Sequence, residues 1–121
     1  MRCQFTKLNT GNYHVRGVPA LLKESEIRSR LKGLKGWKHQ GNFLVRTFAF
    51  KHFMDGISFI NAVAKLAEEQ EHHPDINVRY TTIALSIQTH SEGGVTEWDF
   101  ELAEAIEAMV ARRKRFPEPR E

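Results

Sequence analysis

Three histidines, at positions 72, 73 and 90, are the residues on which chemistry is most readily built. Imidazole takes up and releases protons near neutral pH, so a cluster of it suits general acid and base work. Glu68 lies four residues before His72, a spacing that puts both on one helical face and lets the carboxylate orient the ring. Asp99, at a predicted helix start beyond the Gly93-Gly94 turn, is placed to do the same for His90, and with Thr96 it forms a variant of the capping box. Other chemistries are poorly served. Adjacent histidines chelate one ion badly, and neither His-Glu-x-x-His nor Cys-x-x-Cys occurs, which argues against a metal site. There is no Gly-x-Ser-x-Gly elbow and no glycine-rich phosphate loop, and the single cysteine, Cys3, lies in an N-terminal arm. His14, His39 and His52 read as surface or structural histidines.

The elements that must position these groups follow from periodicity. Ile27, Leu31 and Leu34 recur at helical intervals after Ser25, which suits an N-cap, and Gly33 and Gly36 end this short first helix. Aromatic and β-branched residues on both sides of Gln40-Gly41-Asn42 predict a β-hairpin whose inner face the pattern does not assign. Phe53, Ile57, Ile60, Ala64 and Ala67, widened by Val63 and Leu66, predict a long helix over 51–71, stopped by Pro74. Beyond it, Ile83, Leu85 and Ile87 alternate with Ala84, Ser86 and Gln88, as in a strand with one dry face. If 75–78 pairs with 82–90 through a turn near Tyr80 and Thr81, His90 returns opposite residues 71–73 and three imidazoles meet at one end of the sheet. That turn contains no Gly, Asn or Pro, and an unbroken strand would carry His90 far away. A last helix is marked by Leu102, Ala105, Ile106 and Met109. The sum is an α+β fold, a four-stranded antiparallel sheet with about three helices packed on one face.

With 121 residues the chain has the size of one domain, expected over 21–111 between an irregular N-terminal arm (1–20) and a basic C-terminal tail (112–121). The net charge of +3 resides in the last eleven residues, which hold five basic and two acidic groups, leaving thirteen of each before them. A neutral body argues against direct nucleic-acid binding. No apolar run is long enough to span a membrane, and one cysteine fits a reducing compartment, so a cytoplasmic protein is expected. The basic, acid-poor N-terminus leaves an organelle presequence open, though Gly11, Gly17 and Pro19 break any amphipathic helix there. Open sheet edges invite self-association, as a homodimer or homotetramer.

Glu68, three residues, His72-His73-Pro74, five residues, Tyr80, nine residues, His90, eight residues and Asp99 resemble the active-site motif of the pterin-4a-carbinolamine dehydratases. Its members keep their spacing across thirty-two positions, and the resemblance spans about 18–110, with Gly36-Trp37, Phe48, Phe50 and Phe53 before the long helix and Gly93-Gly94 and Thr96 after His90. It implies dehydration of a 4a-hydroxytetrahydropterin to the quinonoid dihydropterin, recycling a tetrahydrobiopterin-type cofactor, with the pterin as substrate and no metal or organic cofactor. By similarity His72 and His90 form the acid and base pair, in an order set by which pterin face carries the hydroxyl, and His73 holds and polarises the substrate. Glu68 and Asp99 would orient the rings, while Pro74, Thr89, Ser91 and Glu92 shape the pocket. Some members carry an aromatic residue two positions after the proline, where this chain has Ile76. Two alternatives accompany this reading: a binding or regulatory protein, as in animal members that stabilise a transcription-factor dimer, and action on a different pterin such as molybdopterin.

Overall fold

A computed structural model describes residues 18–112 and the backbone of Phe5–Lys7 and Tyr13–Val15. Those two segments, β1 and β2, pair antiparallel, so the arm expected to be irregular carries a small ladder of its own. Beyond Arg112 the expected basic tail lies outside the described residues. Six elements precede the last helix of the body: α1 (Glu24–Leu31), β3 (Lys38–Gln40), β4 (Phe43–Ala49), α2 (Phe53–Gln70) and the hairpin β5 (Asp75–Arg79) with β6 (Thr82–Ile87), after which comes α3 (Glu97–Arg112). The four strands form an antiparallel sheet in the order β3-β4-β6-β5. Among the described residues no helix is long and apolar enough to cross a membrane.

Alternation fixes the dry face. Ile83, Leu85 and Ile87 are fully buried, and the register pairs Phe48 with Ile83 and Leu44 with Ile87. The inner residues of β4 are therefore Leu44, Arg46 and Phe48, with Phe43, Val45, Thr47 and Ala49 facing away. Arg46 is a charge at a core position, and it is paired at one end: the guanidinium lies 4.4 Å over the Phe48 ring and Nη1 donates to the Lys35 carbonyl (2.6 Å) and to Glu107 (2.7 Å), while the buried Nε–H has no hydrogen-bond partner among the described residues. Gly36 passes beside it with φ +87°, where a Cβ would stand 2.8 Å from the Arg46 Cζ. Trp37 donates its indole N–H to the same Glu107 oxygen (2.7 Å), tying the approach to β3 onto α3.

The helices cover this face with Phe59, Val63 and Ala67 of α2 and Phe100, Leu102, Ala103, Ile106 and Met109 of α3. The buried stripe of α2 thus runs Gly56, Phe59, Val63, Ala67: Val63 and Ala67 are as expected, whereas Phe53, Ile57, Ile60 and Ala64 are not fully buried and Phe59, which the expected stripe left out, is. Phe53 instead stays half-exposed and stacks on Tyr80 at 6.4 Å between ring centres. Helix α1 also starts differently: Lys23, not Ser25, is the N-cap residue, and its N–H donates to the Glu26 carboxylate at 2.8 Å.

Arg30 of α1 clamps α3 through Glu97 (2.7 Å) and Glu104 (3.3 Å). The hydrogen bond from Arg30 holds the Glu97 carboxyl below its ordinary value against an opposing desolvation, and the bond to Glu97 raises that of the guanidinium. A carboxyl with a lowered folded pKa stabilises above its unfolded value, and that stabilisation is lost as pH falls through the folded one. Glu97→Gln should therefore cost roughly 0.5 kcal/mol at neutral pH, as expected for a solvent-screened pair, and the difference from wild type should vanish in acid. Urea unfolding at both pH values checks this.

Candidate active site

The site is built where α2 stops and the β5–β6 hairpin returns. Glu71 takes the left-handed conformation (φ 51°, ψ 41°), and the His72 N–H reaches back to the Ala67 carbonyl at 3.1 Å, closing the helix. This reversal swings His72 inward, off the helical face it would share with Glu68. The pairing expected between Glu68 and His72 does not form: His73 donates its Nε2–H to Glu68 instead, at 2.6 Å on the surface. His72 is buried and its Nε2 lies 2.6 Å from Oδ1 of Asp99, which is itself fully buried. Asp99 therefore serves His72 and not His90, as the sequence had suggested.

Asp99 has further partners. Its Oδ2 accepts from the Thr89 hydroxyl (2.9 Å) and from the Thr96 N–H (2.7 Å), the second bond being the expected capping interaction at the start of α3. The Thr96 hydroxyl closes the network on Thr89 at 2.7 Å and accepts the Trp98 N–H at 3.2 Å. A buried carboxylate with three donors is a fixed acceptor. It holds His72 in the tautomer with the proton on Nε2, so that Nδ1 is the nitrogen available as an acceptor.

His90 arrives by the expected hairpin. Asp75 pairs with Ser86 and Arg79 with Thr82, and the two-residue turn is made by Tyr80 at φ 53° with Thr81, a left-handed position taken without Gly or Asn. Beyond β6 the chain makes a second tight turn, with Thr89 N–H donating to Gly94 (2.9 Å) and the Glu92 and Gly93 N–H groups to the Thr89 carbonyl (3.0 and 2.9 Å). His90 sits exposed on this loop, and its Nδ1 accepts from the Gln88 amide at 3.2 Å. Its other nitrogen, Nε2, then carries the proton of the neutral ring.

Between the helix exit and this loop lies an open cavity of about 340 Å³, walled by His72, His73 and Pro74 on one side and Thr89, His90 and Ser91 on the other. Six expected site residues thus meet. Three do not line it: Asp99 stands behind His72, Glu68 lies outside on His73, and Glu92 accepts from the Ser91 hydroxyl at 3.2 Å. Gln88 and Trp98 also face the cavity, and the sequence reading singled out neither for the site. Gln88 reads as the wet position of an alternating strand, and Trp98 as one residue of a helix start. Their signal was proximity in sequence to His90 and Asp99. Among the described residues no group of three or more His, Cys, Asp or Glu side chains is arranged to hold a metal ion.

Fold and site together define a small α+β protein that brings imidazoles, one of them backed by a buried carboxylate, to one end of an antiparallel sheet. The family model for pterin 4 alpha carbinolamine dehydratase matches residues 20–109, and the chain belongs to that family. It is 47% identical over 85 residues to a protein of Sulfolobus acidocaldarius provisionally named pterin-4-alpha-carbinolamine dehydratase, covering 70% of this chain and 93% of that one. A likewise provisionally named protein of Thermomicrobium roseum is 45% identical over 92 residues, covering 76% and 99%. Among solved structures, a transcriptional coactivator/pterin dehydratase from Brucella melitensis superposes with a TM-score of 0.70 at 35% identity, covering 74% of this chain and 97% of that one. A pterin dehydratase-like protein described as a RuBisCO assembly factor in the alpha-carboxysome follows with a TM-score of 0.55 at 26% identity, covering 64% and 93%.

Proposed function

We propose that this protein dehydrates a 4a-hydroxytetrahydropterin to the quinonoid dihydropterin, regenerating a tetrahydrobiopterin-type cofactor in the cytoplasm, with the pterin as its substrate and no other cofactor. The reaction removes a hydroxyl from C4a and a proton from N5, which leave together as water. It needs a donor at the departing oxygen and an acceptor at N5. The observation that carries the reading is the pair of complementary imidazoles at one cavity. His90, as the imidazolium, gives its Nε2 proton to the departing oxygen, with the Gln88 amide oxygen, otherwise unpartnered among the described residues, turned to its Nδ1–H. Neutral His72, with Nε2–H given to Asp99, takes the N5 proton at Nδ1, and exchange of one proton with water restores both rings. His73, fixed by Glu68, holds the substrate from the same wall, and Pro74, Thr89 and Ser91 shape the pocket. Such proton transfers contribute about 10² to 10⁴ in rate, a useful factor for a carbinolamine that already decays unaided.

Self-association as a homodimer or homotetramer would draw on the open edges β3 and β5, the second of which exposes Val78, with Tyr80 exposed in the turn that follows it. The likeness to a RuBisCO assembly factor supports a second reading, a binding protein without turnover. That reading gives the buried His72–Asp99–Thr89 network no task. Catalytic amounts of the protein should accelerate the loss of ultraviolet absorbance of a 4a-carbinolamine, and a rate equal to that in buffer would favour the binding role.

A further inference from the structure

We propose that Trp98 is the apolar wall against which the flat ring of the pterin lies, so that one side chain both binds the substrate and sets its distance from His72. The inference rests on the dehydratase reading. The other lining residues are mostly polar, with the imidazoles, the Gln88 amide, the Ser91 hydroxyl and the carboxylates of Glu71 and Asp75, and Pro74 is the one other apolar side chain. Groups of that kind satisfy the hydrogen-bonding edge of a planar heterocycle. Its two faces need apolar contact, which sites for flat ligands supply with an aromatic side chain.

Trp98 is the one large apolar side chain lining the cavity, and it is only partly buried. Its backbone is fixed, because its N–H caps onto the Thr96 hydroxyl, and the next residue is Asp99. The indole meets the His72 ring edge-on, 6.1 Å between centres at 72°. A ligand resting on the indole is therefore held beside the imidazole that Asp99 orients. Ile76, two residues after Pro74, cannot take this part: it pairs across from Leu85 on the inner face of the sheet, packs against the core and lines none of the cavity.

The test compares full-length wild type with Trp98→Phe, Trp98→Leu and Trp98→Ala. Readouts are steady-state kinetics on the carbinolamine, equilibrium dialysis with unreactive oxidised biopterin, and urea unfolding as a check of the fold. Trp98→Ala should weaken biopterin binding and raise KM roughly ten- to hundredfold with a smaller fall in kcat, the scale of one ring–aromatic stack. Trp98→Phe should restore most of the loss, whereas Trp98→Leu should not. Equal KM and binding in wild type and Trp98→Ala, or equal rescue by Leu and Phe, would overturn the proposal while leaving the dehydratase reading standing. If wild type neither binds biopterin nor turns over the carbinolamine, the functional reading itself fails and this proposal with it.

Discussion

Asp99→Asn should lower turnover by about two to four orders of magnitude, the span covered by losing an oriented acid–base partner. The carboxylate is fully buried and accepts from His72, Thr89 and Thr96, all three of them donors. An amide of the same shape offers one oxygen and one NH₂. Turned with its NH₂ toward His72, it forces the ring proton from Nε2 to Nδ1 and removes the lone pair that receives the N5 proton. Turned the other way, it sets its own hydrogens against the Thr89 hydroxyl and the Thr96 N–H. Either orientation leaves a buried donor unmet, at a cost of about 1–3 kcal/mol in stability. Turnover numbers, urea unfolding and the ¹⁵N shifts of the His72 ring measure the three consequences. Unchanged turnover in a folded Asp99→Asn protein would mean that the network is structural only.

His90→Ala should lose about 10² to 10⁴ in turnover while its unfolding midpoint stays close to that of wild type. The ring stands exposed on a loop whose backbone bonds do not involve it, and its side-chain hydrogen bond is the one to Gln88. His72→Ala should lose a comparable factor but also about 1–3 kcal/mol of stability, since it strips a donor from a fully buried carboxylate. From the sequence both histidines fall at one end of the sheet, a placement that by itself would let either substitution spare the fold. Burial of His72 breaks that symmetry. Thermal melts of the two variants beside their rates separate the two positions, and a destabilised His90→Ala would contradict the placement of the loop.

Where the sequence was legible, a single physical period carried the information. Strict alternation in Ile83, Leu85 and Ile87 marked the dry face, and the hairpin it implied brought His90 back to His72 and His73 as expected. The exchange of carboxylates was not legible. It depends on Glu71 adopting a left-handed conformation that Gly or Asn would have announced, and this one residue turns His72 from the side of Glu68 to that of Asp99. A similar non-glycine left-handed residue, Tyr80, makes the hairpin turn that composition left unmarked. The first half of α2 was misjudged because apolar residues occur nearly all round it: Phe53 was placed on the stripe and Phe59 left off it, and packing on the sheet selects Phe59. Arg46 at a core position is explained by partners far away in sequence, Glu107 above all, which no local pattern reveals.

The measurement that bears most directly on the central claim is the decay of 4a-hydroxytetrahydrobiopterin during a hydroxylase reaction, followed by ultraviolet absorbance with wild-type protein, His90→Ala and buffer. His90→Ala is the informative variant because the loss of its ring leaves the buried network intact. Wild type should accelerate the decay at catalytic concentrations, and folded His90→Ala should do so at a rate at least about a hundredfold lower. Equal decay in wild type and buffer, or full activity in His90→Ala, would contradict the claim.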